Sequence, residues 1–168
     1  MNHFVFTGPE SSGKTTLAKY FAEQEKGVFV EEYAREFLTK LNRDYLEKDL
    51  VQIAKGQFDL QIKAKLNSKK SLYFDTDLLT IKIWSEYKYG DCDPWILERI
   101  LANNEMLYIL CKPDIEWEAD PLRENPNNRD ELYEIYKENL IELKLNFLEI
   151  NGDLQGRKIF LKKYLTSN

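Results

Sequence analysis

Residues 8 to 15 read Gly8-Pro9-Glu10-Ser11-Ser12-Gly13-Lys14-Thr15, and no other run constrains the chain as much. The pattern is G-x-x-x-x-G-K-[ST], which has physical meaning only where a strand runs directly into a helix. Here the apolar run Phe4-Val5-Phe6-Thr7 precedes it and the amphipathic stretch Leu17-Ala18-Lys19-Tyr20-Phe21-Ala22 comes after it. Backbone N–H groups of such a loop face inward as an anion cradle, reinforced by the positive end of the helix dipole. Lys14 is placed to reach the outer phosphates and the Thr15 hydroxyl to ligate Mg²⁺. Gly8, Glu10, Ser11, Ser12, Gly13, Lys14, Thr15 and Thr16 are therefore the expected seat of ATP.

Four more short apolar runs come after that first one: Val28–Glu31, Leu72–Asp75, Leu107–Leu110 and Phe147–Ile150. Helical periodicity fills the intervals, over Lys14–Gln24, Arg35–Leu41, Leu46–Leu66, Leu78–Tyr89, Pro94–Ala102, Arg129–Leu143 and Arg157–Tyr164. Alternation of this kind predicts an α/β fold, a five-stranded parallel sheet flanked by helices on both faces in three layers. The runs are nearly all apolar, as strands buried on both sides must be. Asp44 is expected to cap the third helix, with Glu47 completing a capping box, and Asp93-Pro94 to open the fifth. A polar stretch from 112 to 129 holds three of the five prolines and is the expected lid.

Composition narrows the class further. The 43% hydrophobic content supports a real core, and one domain covering residues 1–168 is expected. A net charge of −5 argues against nonspecific nucleic-acid binding, which needs a basic face. Lys63, Lys65, Lys69 and Lys70 read as a solvated helix end. Cys92 and Cys111 stand far apart, so a disulfide framework is not expected and a reducing cytoplasm is the expected setting. The first apolar run starts at Phe4, so a signal peptide is not expected, and no run approaches membrane-spanning length. His3 precedes that run and is expected to be incidental; a single histidine excludes His-dependent triads and His-rich metal sites.

Ligands of parallel sheets gather at the carboxyl ends of the strands, so the residues after each run carry the chemistry. The second run ends in Glu31-Glu32-Tyr33-Ala34-Arg35. Successive strand side chains alternate faces, so only one of Glu31 and Glu32 points into a cleft. A carboxylate there accepts a hydroxyl proton or holds a ribose diol, although a solvated turn explains the same residues. Tyr33 and Arg35 favour a substrate site, since an aromatic face and a cation suit a flat ring and a phosphate. The third run ends in Asp75-Thr76-Asp77. Asp75 is placed either beside Mg²⁺ or as the base acting on a substrate hydroxyl, and Asp77 either joins it or caps the next helix. In the 112–129 segment Arg123 and Arg129 are candidate catalytic cations, and Trp117 either stacks on a flat ligand or anchors the lid. Arg157, after the Asn151-Gly152-Asp153 corner, is expected on the adenine side.

These segments, taken in order, carry a family resemblance. The Glu10-Ser11-Ser12 core of the loop is succeeded by Glu32-Tyr33-Ala34-Arg35-Glu36, Phe74-Asp75-Thr76-Asp77, the Tyr87 to Gly90 helix end, and Pro113-Asp114-Ile115-Glu116-Trp117 with Arg123 and Arg129 beyond. The set resembles the ribosylnicotinamide kinase domain of the NadR-type proteins of bacterial NAD biosynthesis. The resemblance implies a P-loop NTPase fold of the nucleoside-kinase kind and transfer of the γ-phosphate of ATP to the 5′-hydroxyl of nicotinamide riboside. It implies Lys14 and Thr15 at ATP and Mg²⁺, and Glu32, Tyr33 and Arg35 on the nucleoside side. Asp75 and Asp77 would serve the metal or hydroxyl, and Arg123 and Arg129 the lid. Larger members add an adenylyltransferase domain or a DNA-binding domain, and neither is expected here. In the lid the expected acidic pair and glycine are replaced by Glu118-Ala119-Asp120-Pro121-Leu122-Arg123, where proline stiffens the segment. Another nucleoside, or a vitamin alcohol such as thiamine, fits the same constellation as acceptor. A reading from another class is a nucleotide-dependent ATPase switch, which needs an exposed partner-binding face.

Overall fold

The computed structural model describes residues 2–103 and 105–167. Its centre is a five-stranded parallel sheet in the order β2-β3-β1-β4-β5. The strands are β1 (His3–Thr7), β2 (Val28–Val30), β3 (Leu72–Asp75), β4 (Leu107–Cys111) and β5 (Phe147–Ile150). Phe6 lies in register with Asp75 and Thr7 with Leu110, so β1 and β3 deliver their carboxyl ends to one place.

Alternation along each strand splits the core in two. Phe4, Phe6, Tyr73 and Ile109 face one side, under α1 (Lys14–Gln24) and α7 (Leu154–Ser167). Val5, Phe74, Tyr108 and Leu110 face the other. That side is covered by α3 (Glu47–Asn67), α4 (Leu78–Tyr89), α5 (Pro94–Leu101) and α6 (Arg129–Glu142), with the short α2 (Tyr33–Lys40) at its rim. Three layers therefore exist because each strand is apolar on both faces.

Several boundaries move from their sequence-based positions, each for a local reason. β2 stops at Val30, and α2 begins at Tyr33 rather than Arg35 because the buried Gln57 side chain accepts the Tyr33 N–H at 2.8 Å. The third helix is not capped by Asp44. It begins after Leu46, whose N–H donates to the Asp49 carboxylate at 2.7 Å, while Arg43 pairs with Asp49 at 2.7 Å. That pairing holds the Asp49 carboxyl down at about 2. α7 starts at Leu154, before Arg157. Asp93 does open α5, its carboxylate accepting the Trp95 N–H at 2.9 Å ahead of Pro94. His3 belongs to β1 and is buried edge-on to Phe74, and burial lowers its pKa. Of the lysine cluster, Lys65 is half-buried and donates to Asn103 at 2.5 Å, while Lys63, Lys69 and Lys70 are exposed. Among the described residues no helix is long and apolar enough to cross a membrane.

Candidate functional site

The loop between β1 and α1 starts with a residue that only glycine can supply. Gly8 sits at φ +127°, and a Cβ there would stand 2.7 Å from the Cys111 carbonyl oxygen. The loop then turns on the Pro9 carbonyl, which accepts from Ser12 Oγ at 2.8 Å and Lys14 Nζ at 2.5 Å. α1 has no side-chain cap and no acidic residue in its first turn. Its leading N–H groups are therefore left for an anion, where the helix dipole adds its positive end.

At the end of β2, Glu31 is exposed and Glu32 lines the cavity beside the loop. Gln57 fixes this turn twice, accepting from the Tyr33 N–H and donating to the Glu31 carbonyl at 3.3 Å. Burial and the nearby Asp75 carboxylate raise the Glu32 pKa to about 7. At the end of β3, Asp75 is 4% exposed and its Oδ1 has no hydrogen-bond partner. Burial raises its pKa, while the Thr15 hydroxyl and Lys14 pull it down. The next residue, Thr76, holds φ at 65°, a left-handed conformation that a β-branched residue adopts only under constraint. Its N–H donates to Phe6 at 3.1 Å, and this bend leaves Asp75 at the cavity while sending Asp77 away.

Asp77 does not reach the cavity. Its carboxylate caps α4 through the Leu79 N–H at 3.0 Å and accepts the Tyr108 hydroxyl at 2.6 Å, so the capping alternative holds. Tyr33 is a second departure: its ring lies where a Cβ on Gly56 would be, in the α2–α3 contact, and not on the cavity wall. Trp117 is a third. It sits outside the cavity with the Arg123 and Arg129 guanidinium groups 5.9 and 5.6 Å from its ring, as a packing anchor. Arg35 lines the cavity but is paired with Asp120 of the 112–128 segment at 3.0 Å.

The segment from 112 to 128 carries no strand or helix and lies against the phosphate-binding loop. Glu10 accepts the N–H groups of Glu124 and Asn125, at 3.1 and 2.9 Å. Arg123 lines the cavity. Arg129 does not; it donates to the carbonyls of Ser11 and Ile115, both at 3.1 Å. Arg157 differs most from expectation. Its guanidinium is fully buried and donates to the carbonyls of Gly152, Ser12 and Lys112, each at 2.7 Å, and to Asp114. It braces the loop from behind and offers nothing to a ligand.

These groups surround a cavity of about 260 Å³. One end is the loop, with Ile115, Glu116 and Leu154. The other is walled by Leu38, Ile83, Trp84, Tyr87, Leu122 and Tyr136. Glu32, Asp75 and Arg123 lie along it. A polyanion seat, an apolar and aromatic pocket, and two carboxylates thus share one space. Among the described residues no cluster of three His, Cys, Asp or Glu side chains could hold a metal ion unaided.

A family model described as an AAA domain matches residues 3–157. The chain belongs to this AAA-domain family. The matched span runs from β1 through Arg157, so it includes the loop, both carboxylates, the 112–128 segment and the buried brace. No curated protein matches the chain in sequence. Solved structures share its fold. A NadR protein in complex with NR aligns with a TM-score of 0.83 at 24% identity, covering 99% of this chain and 51% of that one. A NadR protein in complex with NAD and AMP-PNP aligns at 0.70 and 22% identity, over 91% and 44%. Deoxyadenosine kinase from M. mycoides with bound dCTP aligns at 0.60 and 14% identity, over 99% and 100%. The chain spans about half the length of the NadR chains it matches.

Sequence reasoning overlooked one wall of the AAA domain's cavity. Thr80, Ile83, Trp84 and Tyr87 all line it from α4. Their spacing of i, i+3, i+4 and i+7 is one helical face, and α4 leaves the sheet immediately after Asp75, so the signal was present. Trp84 is held there by its Nε1–H, which donates to the Tyr45 hydroxyl at 2.7 Å. Gln57 was also missed, and a buried glutamine within a helix gives no pattern that marks it.

Proposed function

We propose that the chain is a small-molecule kinase that moves the γ-phosphoryl group of ATP to the 5′-hydroxyl of a nucleoside, with nicotinamide riboside the favoured acceptor. The observation that carries this reading is the pairing of Glu32, poised near pH 7, with a partly apolar cavity opening directly onto the phosphate-binding loop. A switch ATPase has no use for an aromatic pocket beside its γ-phosphate. The likeness in fold to the NadR protein solved with NR, and the Glu10-Ser11-Ser12 loop core, favour the acceptor named. A pyridinium ring is flat and cationic, and Trp84 and Tyr87 beside Glu32 and Asp75 suit both properties.

In this reading the loop amides, Lys14, Thr15 and Thr16 hold the triphosphate. The acceptor enters between α2, α4 and the lid. Glu32 takes the proton of its hydroxyl as the oxygen attacks the γ-phosphorus in line, and ADP departs. Arg123 faces the charge that spreads over the transferring group. Mg²⁺ fits this site, because Asp75 has a buried, unpartnered oxygen next to the Thr15 hydroxyl, and these two would hold it. Bound there it would neutralise phosphate charge. With so few protein ligands, it belongs with the nucleotide rather than with the empty protein. A cytoplasmic setting, where ATP is available, completes the reading.

A coupled ADP assay against nucleosides and vitamin alcohols tests it. Nicotinamide riboside should raise ADP release at least about 100-fold over the acceptor-free rate, and Lys14→Ala should abolish the signal. If thiamine or another nucleoside alone gives the signal, the acceptor is reassigned. If no acceptor stimulates release, the kinase reading fails.

A further inference from the structure

A carboxylate is electrostatically misplaced inside a loop built to hold a polyanion, yet Glu10 occupies the middle of this one. Its two oxygens are not free to meet a ligand. One accepts the N–H of Glu124 at 3.1 Å and the other the N–H of Asn125 at 2.9 Å, across more than 110 residues of sequence. Such charge-assisted bonds to backbone amides are about twice as strong as neutral ones. The residue immediately before these two amides is Arg123, which lines the cavity and donates to the Glu118 carbonyl. The neighbouring Ser11 extends the clasp. Its Oγ accepts the Glu118 N–H at 2.9 Å, and its carbonyl accepts Arg129 at 3.1 Å.

We propose that Glu10 is a positioning residue: it latches the 112–128 segment onto the phosphate-binding loop and so sets Arg123 at the reacting end of the cavity. Two consecutive loop residues hold both flanks of the segment, so a shift of the loop around phosphate is passed directly to the arginine. Ser11 holds φ at 51°, a conformation non-glycine residues take rarely, which ties the loop's shape to the docked segment. Glu10 lines the cavity, but with both carboxylate oxygens bound to the segment it acts through Arg123 and not, as the sequence suggested, as a ligand of ATP. The inference rests on the kinase reading only for the meaning given to Arg123.

Hydrogen–deuterium exchange resolved at individual amides tests the latch without any acceptor. In Glu10→Ala the Glu124 and Asn125 amides should exchange at least about tenfold faster than in the wild type, with and without MgADP, and helix α1 should be unchanged. Glu10→Gln keeps the shape and one carbonyl acceptor, so it should fall between. In the transfer assay Glu10→Ala should lower kcat about tenfold or more with KM for ATP within about twofold. Unaltered exchange at these two amides in both variants overturns the proposal. So does a tenfold rise in KM for ATP at unchanged kcat, which is the behaviour of a direct nucleotide ligand. Because exchange needs no acceptor, the latch can fail while the kinase reading stands, and the reverse.

Discussion

Glu32 illustrates how a side chain becomes useful through an arrangement that disfavours its charge. Raised from 4.5 to about 7, its carboxyl is more stable protonated in the folded chain than in the unfolded one. The folded state therefore binds more protons between pH 4.5 and 7, and stability falls as pH rises through that window. Glu32→Gln removes this loss. Its Tm in the ligand-free protein should exceed that of the wild type by about 2–6 °C at pH 8 and match it at pH 4.5, measured by calorimetry. The same carboxylate is the proposed base, so kcat/KM of the wild type should climb about tenfold per pH unit below 7 and level off above it. In Glu32→Gln the acid limb should vanish and the rate fall by about 100-fold or more. Retention of the limb in Glu32→Gln would assign it to Asp75 instead.

At the level of elements, helix and strand order were legible because the apolar runs and the helical periods are distinct in the sequence, and α1, α4 and β3 fall on their expected residues. What was illegible turns on contacts between elements distant in sequence. Tyr33 and Arg35 both read as ligand-facing from β2 outward. Only the packing of α2 on α3 shows that Tyr33 is spent on Gly56 while Arg35 stays at the cavity. Asp75 is the better site candidate by position, but Asp77 stays divided between the site and a helix cap until the positive φ of Thr76 separates the two. Gly56 gives this level its own test. Alanine in a helix interior ordinarily stabilises by up to about 1 kcal/mol over glycine. Here a Cβ would lie 2.1 Å from the Tyr33 ring, so Gly56→Ala should instead destabilise by about 1–3 kcal/mol in urea unfolding. A stabilised Gly56→Ala protein would show that the α2–α3 contact yields easily.

Across the whole molecule the nucleotide seat is assembled from remote parts. The loop comes from the first strand, Asp75 from the third, Arg123 from the segment after the fourth, and the brace behind them from α7. Arg157 ties the loop, the segment after β4 and the Gly152 corner to α7, and the sequence offered no sign of that role beyond a single arginine in a helix. Arg157→Met leaves three carbonyls and the Asp114 carboxylate without their donor. It should cost about 3–5 kcal/mol of unfolding free energy, and MgADP binding measured calorimetrically below the melting range should weaken with it. Loss of stability with unchanged MgADP affinity would make Arg157 a core residue with no bearing on the loop.

That brace also sets an order of events during synthesis. Ser12 and Arg157 are 145 residues apart. At about 5–20 residues per second, roughly seven to thirty seconds separate the two on the ribosome. Within this stretch the phosphate-binding loop is made well before α7, so its backbone is without that support until α7 has emerged and docked. A nascent chain therefore carries the complete motif well before the side chain that braces it from behind has been made.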